Sequence, residues 1–306
     1  MEKLTNLHGR LLEGCIWDEC SEKLYFVDIE CRKIYCLSPD CESLSQMELP
    51  DYVSDLVLKK DGTLIAALPD GLYHVDFDKR TAGKVMESCL PDGIRYNDGK
   101  CDPKGRLWLG SMAMVQDESA PHAGALFCIE KDQIKTIYSG FTIPNGLAWD
   151  TKKALFYHVD TATDKVDRYR MTEDGQITEK RTAIDLKNEK GSPDGMCMDS
   201  EGRLWIAMWG GYQVICADPA TGEVLKRIPV PDANVSCCCF GGKSKAQLYI
   251  TTARDDNGNG GELYVEEVQV TGGEVYRYGD QEDRTGNRCS KRNWKTDCLL
   301  YGRGRL

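Results

Sequence analysis

The chain has no apolar run approaching the roughly 18 residues a membrane-crossing helix needs. Its opening, Met1-Glu2-Lys3-Leu4-Thr5-Asn6, has no apolar signal-peptide core, so a cytoplasmic location is expected. Histidine is scarce, at four residues: His8, His74, His122 and His158. The sequence also lacks a G-x-S-x-G nucleophile elbow, a P-loop and a dinucleotide-binding glycine fingerprint. Basic residues are in deficit, 39 against 49 acidic ones, for a net charge of −10. That balance argues against nucleic acid or an anionic membrane as the main partner and suits a cation, or a neutral or metal-bridged ligand. Cysteine, by contrast, is unusually frequent, at 15 residues. The spacings Cys15/Cys20 and Cys31/Cys36/Cys41 are not the C-x-x-C pairs of zinc ribbons. Cys237-Cys238-Cys239 falls in a strand, where successive side chains point to opposite faces and cannot share one metal. Reduced thiols serving as small core hydrophobes are the expectation.

What is present is a repeat. Asp194-Gly195-Met196-Cys197-Met198 leads through the polar turn Asp199-Ser200-Glu201-Gly202 into Arg203-Leu204-Trp205-Ile206. The turn residues and the short runs of strand formers on either side predict a hairpin. Related units start at Glu13, Ser54, Asp98, Asn145 and Ser236, and their matching leucines are Leu24, Leu64, Leu107, Leu155, Leu204 and Leu248. Those leucines lie 40 to 49 residues apart. A period in this range built from strands predicts an all-β, six-bladed β-propeller, with four-stranded antiparallel blades around a central channel. Six repeats occupy nearly the whole chain, so residues 1–282 are read as one propeller domain. Residues 283–306, with seven basic residues and Asp297 as the lone acid after Asp283, are read as a flexible basic tail. Residues 273–278 are read as a last strand closing the ring with the N-terminus. The polar segment 111–123 is read as a loop, poised as a lid over the channel mouth.

Innermost propeller strands surround the axis, so the residues that open the repeats should converge there. They are Glu13, Ser54, Asp98, Asn145, Asp194 and Ser236; all carry oxygen and none is His or Cys. Such a ring can cap strands and bind channel water. It can also hold a hard divalent cation such as Ca²⁺, Mg²⁺ or Mn²⁺, with Glu13 and Asp194 supplying charge and Asn145 a neutral oxygen. Converging carboxylates repel one another, which favours the cation. Arg95 and Asn97 would project near the same mouth and can donate to a ligand's hydroxyls or carboxylate.

At these residues the sequence resembles the regucalcin (senescence marker protein), gluconolactonase and luciferin-regenerating enzyme family. The resemblance rests on Glu13-Gly14-x-x-Trp17, Arg95-x-Asn97-Asp98-Gly99-Lys100-x-Asp102-Pro103, Asn145-Gly146-Leu147-x-Trp149, Pro193-Asp194-Gly195-Met196 and Phe240-Gly241-Gly242, and covers about residues 10–279. It implies a six-bladed propeller that hydrolyses sugar lactones with one divalent cation (Ca²⁺, Zn²⁺, Mn²⁺ or Mg²⁺) held by Glu13, Asn145 and Asp194. It further implies Asp194 as general base and Arg95, Asn97 and Asp98 as substrate contacts. Two positions depart from the pattern. Cys15 replaces a proline, and Val115 stands where regucalcin has an acidic substrate contact, with Asp117 and Glu118 only nearby. Three other readings stay open: a non-enzymatic Ca²⁺-binding regulator, a phosphotriesterase on the same metal site, and a protein-interaction propeller.

Overall fold

The computed structural model describes residues 1–38, 43–117, 120–131, 133–172 and 175–279. Glu118, the boundary expected at 282 and the basic tail 283–306 therefore lie outside the described residues. Six four-stranded antiparallel sheets form the six expected blades. Their inner strands are Leu12–Asp18, Asp55–Leu58, Ile94–Cys101, Pro144–Asp150, Ser192–Met198 and Asn234–Gly241, each packed on the next so that the last meets the first. Apart from one 3₁₀ turn at Thr161–Thr163, the described regular elements are all strands.

The matching leucines each lie in the second strand of a blade. Five of them, Leu24, Leu64, Leu107, Leu204 and Leu248, are at most 2% exposed, and full burial of each stabilises the fold by about 1.5–3 kcal/mol. The core is shared between blades rather than held within them. Tyr25, Val27 and Ile34 of blade 1 pack against Leu56, Leu64 and Ala66 of blade 2. Trp17 of blade 1 stacks on Tyr249 of blade 6 with ring centroids 5.6 Å apart.

The polar turn that marks the repeat is built around a buried aspartate. In blade 3, the Asp102 carboxylate accepts from the backbone N–H of Lys104 and Arg106, from Arg106 Nε at 2.7 Å and from Trp108 Nε1 at 3.0 Å. Blade 5 repeats the arrangement with Asp199, Glu201, Arg203 and Trp205. Spacing alone explains the likeness: the aspartate, the arginine four residues on and the tryptophan six residues on converge across one tight hairpin.

Ring closure differs from the expectation. The fourth strand of blade 6 is Glu2–Lys3, which pairs with Leu263–Glu267. Residues 273–278 form no such strand and instead cross the base of the wheel. Along this path Thr271 O accepts from Ser200 N, Gly273 N donates to Met198 O, Tyr278 N to Leu58 O and Gly279 N to Gly105 O. Arg277 pairs with Asp18 and donates to Lys59 O. Those partners lie at the ends of inner strands or in the turns that follow them, so the segment straps blades 1, 2, 3 and 5 together on one face. The loop after blade 3's second strand is also shorter than expected, because Ser111, Met112 and Ala113 complete the strand Leu107–Ala113.

Eleven described cysteines are free thiols. Cys20 is the exception to the expected reduced state, being disulfide-bonded. Cys237 and Cys239 face one apolar cluster and Cys238 another, as strand alternation requires.

Asp102→Ala should lower unfolding free energy by about 2–4 kcal/mol, since it removes the buried carboxylate that Trp108 Nε1, Arg106 Nε and two backbone N–H groups share. Denaturant titration of the variant against the parent measures this.

Candidate functional site

Five of the six inner strands carry a register shift near their starts: between Glu13 and Ile16, Tyr96 and Gly99, Asn145 and Leu147, Pro193 and Met196, and Val235 and Cys237. A bulge leaves residues unpaired and re-aims side chains. Asn97, Asp98, Asp194 and Ser236 sit inside these shifts, and Glu13 and Asn145 immediately precede one. Glycines make the crowding possible. Gly14 has φ +56°, and a Cβ there would fall 2.5 Å from Asp55 Oδ1; at Gly146 it would fall 2.7 Å from Asp194 O.

A directional hydrogen-bond cascade runs across three blades. Arg95 Nη1 donates to Asn97 Oδ1 at 2.9 Å, and Asn97 Nδ2 donates to Asn145 Oδ1 at 2.6 Å and Pro144 O at 3.0 Å. Asn145 Nδ2 donates to Thr161 Oγ1 at 2.8 Å, and the Thr161 hydroxyl to Pro193 O at 2.7 Å, one residue before Asp194. The chain of donors fixes both amide orientations, so Asn145 turns its oxygen toward Asn97 and its nitrogen toward Thr161. Asn97 spends both amide hydrogens within the protein.

Around this cascade the acids repel one another. Burial raises Glu13 most, the neighbouring Asp98 charge adds to it, and the result is a carboxyl pushed up to about 8. Asp194 is raised by burial, then by the charges of Glu13 and Asp98, with Arg95 opposing. Asp98 is raised by burial, with Lys100 opposing. Glu13, Asp98 and Asp194, drawn from blades 1, 3 and 5, thus meet at the hub, with the Arg95 guanidinium attracted to Glu13 and Asp194. Asp98 Oδ2 is buried with no hydrogen-bond partner.

The second and sixth ring positions turn out differently from the expectation. Ser236 is fully buried and donates to Leu12 O at 2.5 Å, so its hydroxyl ties blade 6 to blade 1. The Ser54 hydroxyl is buried without a partner, and its neighbour Asp55 is the residue that faces the other carboxylates, raised by burial and then by Asp98 and Glu13. Asp55, Thr161 and Lys100 are site residues the repeat alignment passed over. For Asp55 a usable signal existed: adjacent strand residues point to opposite faces, so a shift of one residue exchanges Ser54 for Asp55. Val115 is 67% exposed on the loop beyond Ala113.

The donor set of Glu13, Asn145 and Asp194 fits a hard divalent cation: two carboxylates whose charges oppose each other, an amide oxygen held in place, and an orphaned carboxylate oxygen on Asp98 close by. Among the described residues no three His, Cys, Asp or Glu side chains are grouped to hold an ion, and Asn145 is outside those residue types. A surface depression lined by Leu155, Arg168, Arg170, Glu179 and Arg181 lies on the outer strands of blade 4. Arg170 is already paired with Glu179 there at 3.4 Å, and the depression holds none of the converging acids.

Residues 11–254 match the family model described as the SMP-30/Gluconolactonase/LRE-like region. Human regucalcin is 34% identical over 252 residues, 79% of this chain and 83% of that one. The candidate sugar lactone lactonase YvrE of Bacillus subtilis matches at the same 34% over 252 residues, again 79% and 83% of the two chains. Among solved structures, the regucalcin of Agrobacterium tumefaciens, described as a calcium-binding protein, superposes with a TM-score of 0.83 at 27% identity, covering 90% of this chain and 96% of that one.

A carboxyl whose pKa rises on folding binds a proton preferentially in the folded state, so its contribution to stability is complete below its unfolded value and is lost as pH rises through the folded one. For Glu13 that window runs from 4.5 to about 8. With chelator present, the melting temperature should therefore fall across this window, and Glu13→Gln should flatten the slope, as thermal unfolding in a pH series will show. Thr161→Val should free the Asn145 amide and lower the melting temperature by about 3–6 °C in a thermal unfolding scan, since it removes both hydrogen bonds of the Thr161 hydroxyl, from Asn145 Nδ2 and to Pro193 O, each contributing about 1 kcal/mol.

Proposed function

Because the chain belongs to the SMP-30/Gluconolactonase/LRE-like family, we propose that it hydrolyses small lactones, sugar lactones foremost, at the hub with one divalent cation. The observation that carries this reading is the meeting of Glu13, Asp98 and Asp194 around Arg95, three acids whose repulsion calls for positive charge.

Glu13, Asn145 and Asp194 would hold the cation, which when bound supplies polarisation of the ester carbonyl and a more acidic water. Asp194 accepts the proton of the attacking water. The water oxygen bonds to the carbonyl carbon, the ring C–O bond breaks, and the departing alkoxide takes a proton to leave a hydroxy acid. Arg95 spends both Nη1 hydrogens within the protein, on Asn97 Oδ1 and the Tyr96 carbonyl; its Nη2 and Nε donors orient the substrate's oxygens. Asn97 holds Asn145 in place and presents its own carbonyl oxygen to a substrate hydroxyl. Asp98 adds negative charge beside these groups, its Oδ2 buried and unpartnered. The strap across the opposite face leaves the Glu13 and Asp194 end as the route of entry.

Purified protein treated with chelator should lose gluconolactone hydrolysis and recover it with Mn²⁺, Zn²⁺ or Ca²⁺. Asp194→Asn should lower kcat by about 10²–10⁴-fold; unchanged turnover would sink the assignment of the base. Tight Ca²⁺ binding by calorimetry without turnover over a lactone panel would instead support a calcium-binding regulator, and turnover of phosphotriesters alone would point to that chemistry.

A further inference from the structure

Beneath the proposed site one cationic side chain spans the lumen. Lys100 lies on blade 3's inner strand, Ile94–Cys101, and its Nζ donates to Met196 O at 2.6 Å on blade 5's inner strand, Ser192–Met198. Blade 4 lies between these two blades, so the bond crosses the channel rather than a seam between neighbours. Met196 is two residues beyond Asp194. Close by, the carboxylate of Asp55 is wedged between two bare backbones: a Cβ at Gly14 would fall 2.5 Å from its Oδ1, and one at Gly99, the neighbour of Lys100, 2.9 Å from its Oδ2. Asp98, two residues before Lys100, keeps a buried Oδ2 with no hydrogen-bond donor. An isolated buried charge is costly unless an opposite charge answers it. An ammonium suits this position, being a compact charge with three donors, of which Met196 O takes one.

We propose that Lys100 is the channel's internal counter-cation, a positioning residue that balances Asp55 and Asp98 and braces blade 3 against blade 5 under Glu13, Asn145 and Asp194. The electrostatics agree with the geometry. Burial and the acids raise Asp55, and Lys100 opposes that rise; Lys100 is also the chief charge opposing the rise of Asp98. Burial pulls Lys100 itself down, the Asp98 charge is the chief influence opposing it, and the net direction is upward, which keeps the ammonium charged. The fold therefore carries its own cation one layer below the place proposed for an exchangeable one. The effect of Lys100 on turnover rests on the lactonase reading; its role as counter-charge does not.

A charge cycle tests this: parent, Lys100→Met, Asp55→Asn and the double variant, each melted at neutral pH with chelator. Lys100→Met should lower the melting temperature by about 5–10 °C, the scale of a buried charge left unanswered in a chain this size. Adding Asp55→Asn should recover at least half of that loss, because removing one acid removes part of the need for the cation. Independent, additive losses in the double variant, or no loss in Lys100→Met, would overturn the proposal. If Lys100→Met fails to accumulate as soluble protein, recovery of soluble double variant supports the proposal; failure of the double variant while Asp55→Asn is soluble overturns it. Gluconolactone kinetics on the same four proteins separate the two readings. A parent without turnover removes the lactonase reading and leaves the melting cycle intact, whereas a kcat lost in Lys100→Met and partly regained in the double variant, at steady KM, extends the brace to catalysis.

Discussion

Repulsion between carboxylates gathered on one axis is the constraint that organises this molecule. Glu13, Asp98 and Asp194 come from alternate blades, and once burial removes water's screening the Asp98 charge raises Glu13 and Asp194 and the Glu13 charge raises Asp194 further; Asp55 joins them from blade 2. A fold with only apolar packing would push such groups apart. Here the closed ring of inner strands prevents retreat, because moving one acid outward would break the ladder that holds its blade. The strain is met by Arg95 above, by Lys100 below, and by the proposed exchangeable cation between them.

Two kinds of scaffolding hold the acids in register. The cascade from Arg95 through Asn97, Asn145 and Thr161 to Pro193 O joins blades 3, 4 and 5 by side-chain hydrogen bonds whose donors all point the same way. On the other face the segment around Thr271–Gly279 secures the ends of the inner strands through backbone contacts and the Arg277–Asp18 pair. One end of the channel thereby gathers the polar groups and the other is crossed by this segment. Bulges serve the same division: the shifts lie at the chemical end, while the strands leave it as regular ladders packed by shared apolar clusters.

Where reading from the chain failed, the failures share one cause. Aligning the repeats by turn and leucine puts Ser54 at the second ring position, and that alignment cannot see that blade 2 lacks the register shift its neighbours carry, which turns Asp55 inward instead. Ser236 kept its place in the ring but spends its hydroxyl on Leu12 O, a partner 224 positions away in the chain. Residues 273–278 have strand composition, yet the outer edge of blade 6 was already taken by Glu2–Lys3. Each decision was made by a neighbour distant in sequence.

What the chain determines alone is whatever depends on short spacing. Hairpins follow from turn residues between strand formers, six blades from a period of 40 to 49 residues, and oxygen-rich repeat openings from simple inspection. Those local rules were enough to name Glu13, Arg95, Asn97, Asp98, Asn145 and Asp194 as neighbours. Tertiary structure alone decided which of them share a hydrogen bond, which acid of the second blade turns inward, and that Lys100 crosses the lumen to Met196. Register shifts and ring closure set those outcomes, and both arise from contacts between strands that no run of residues specifies by itself.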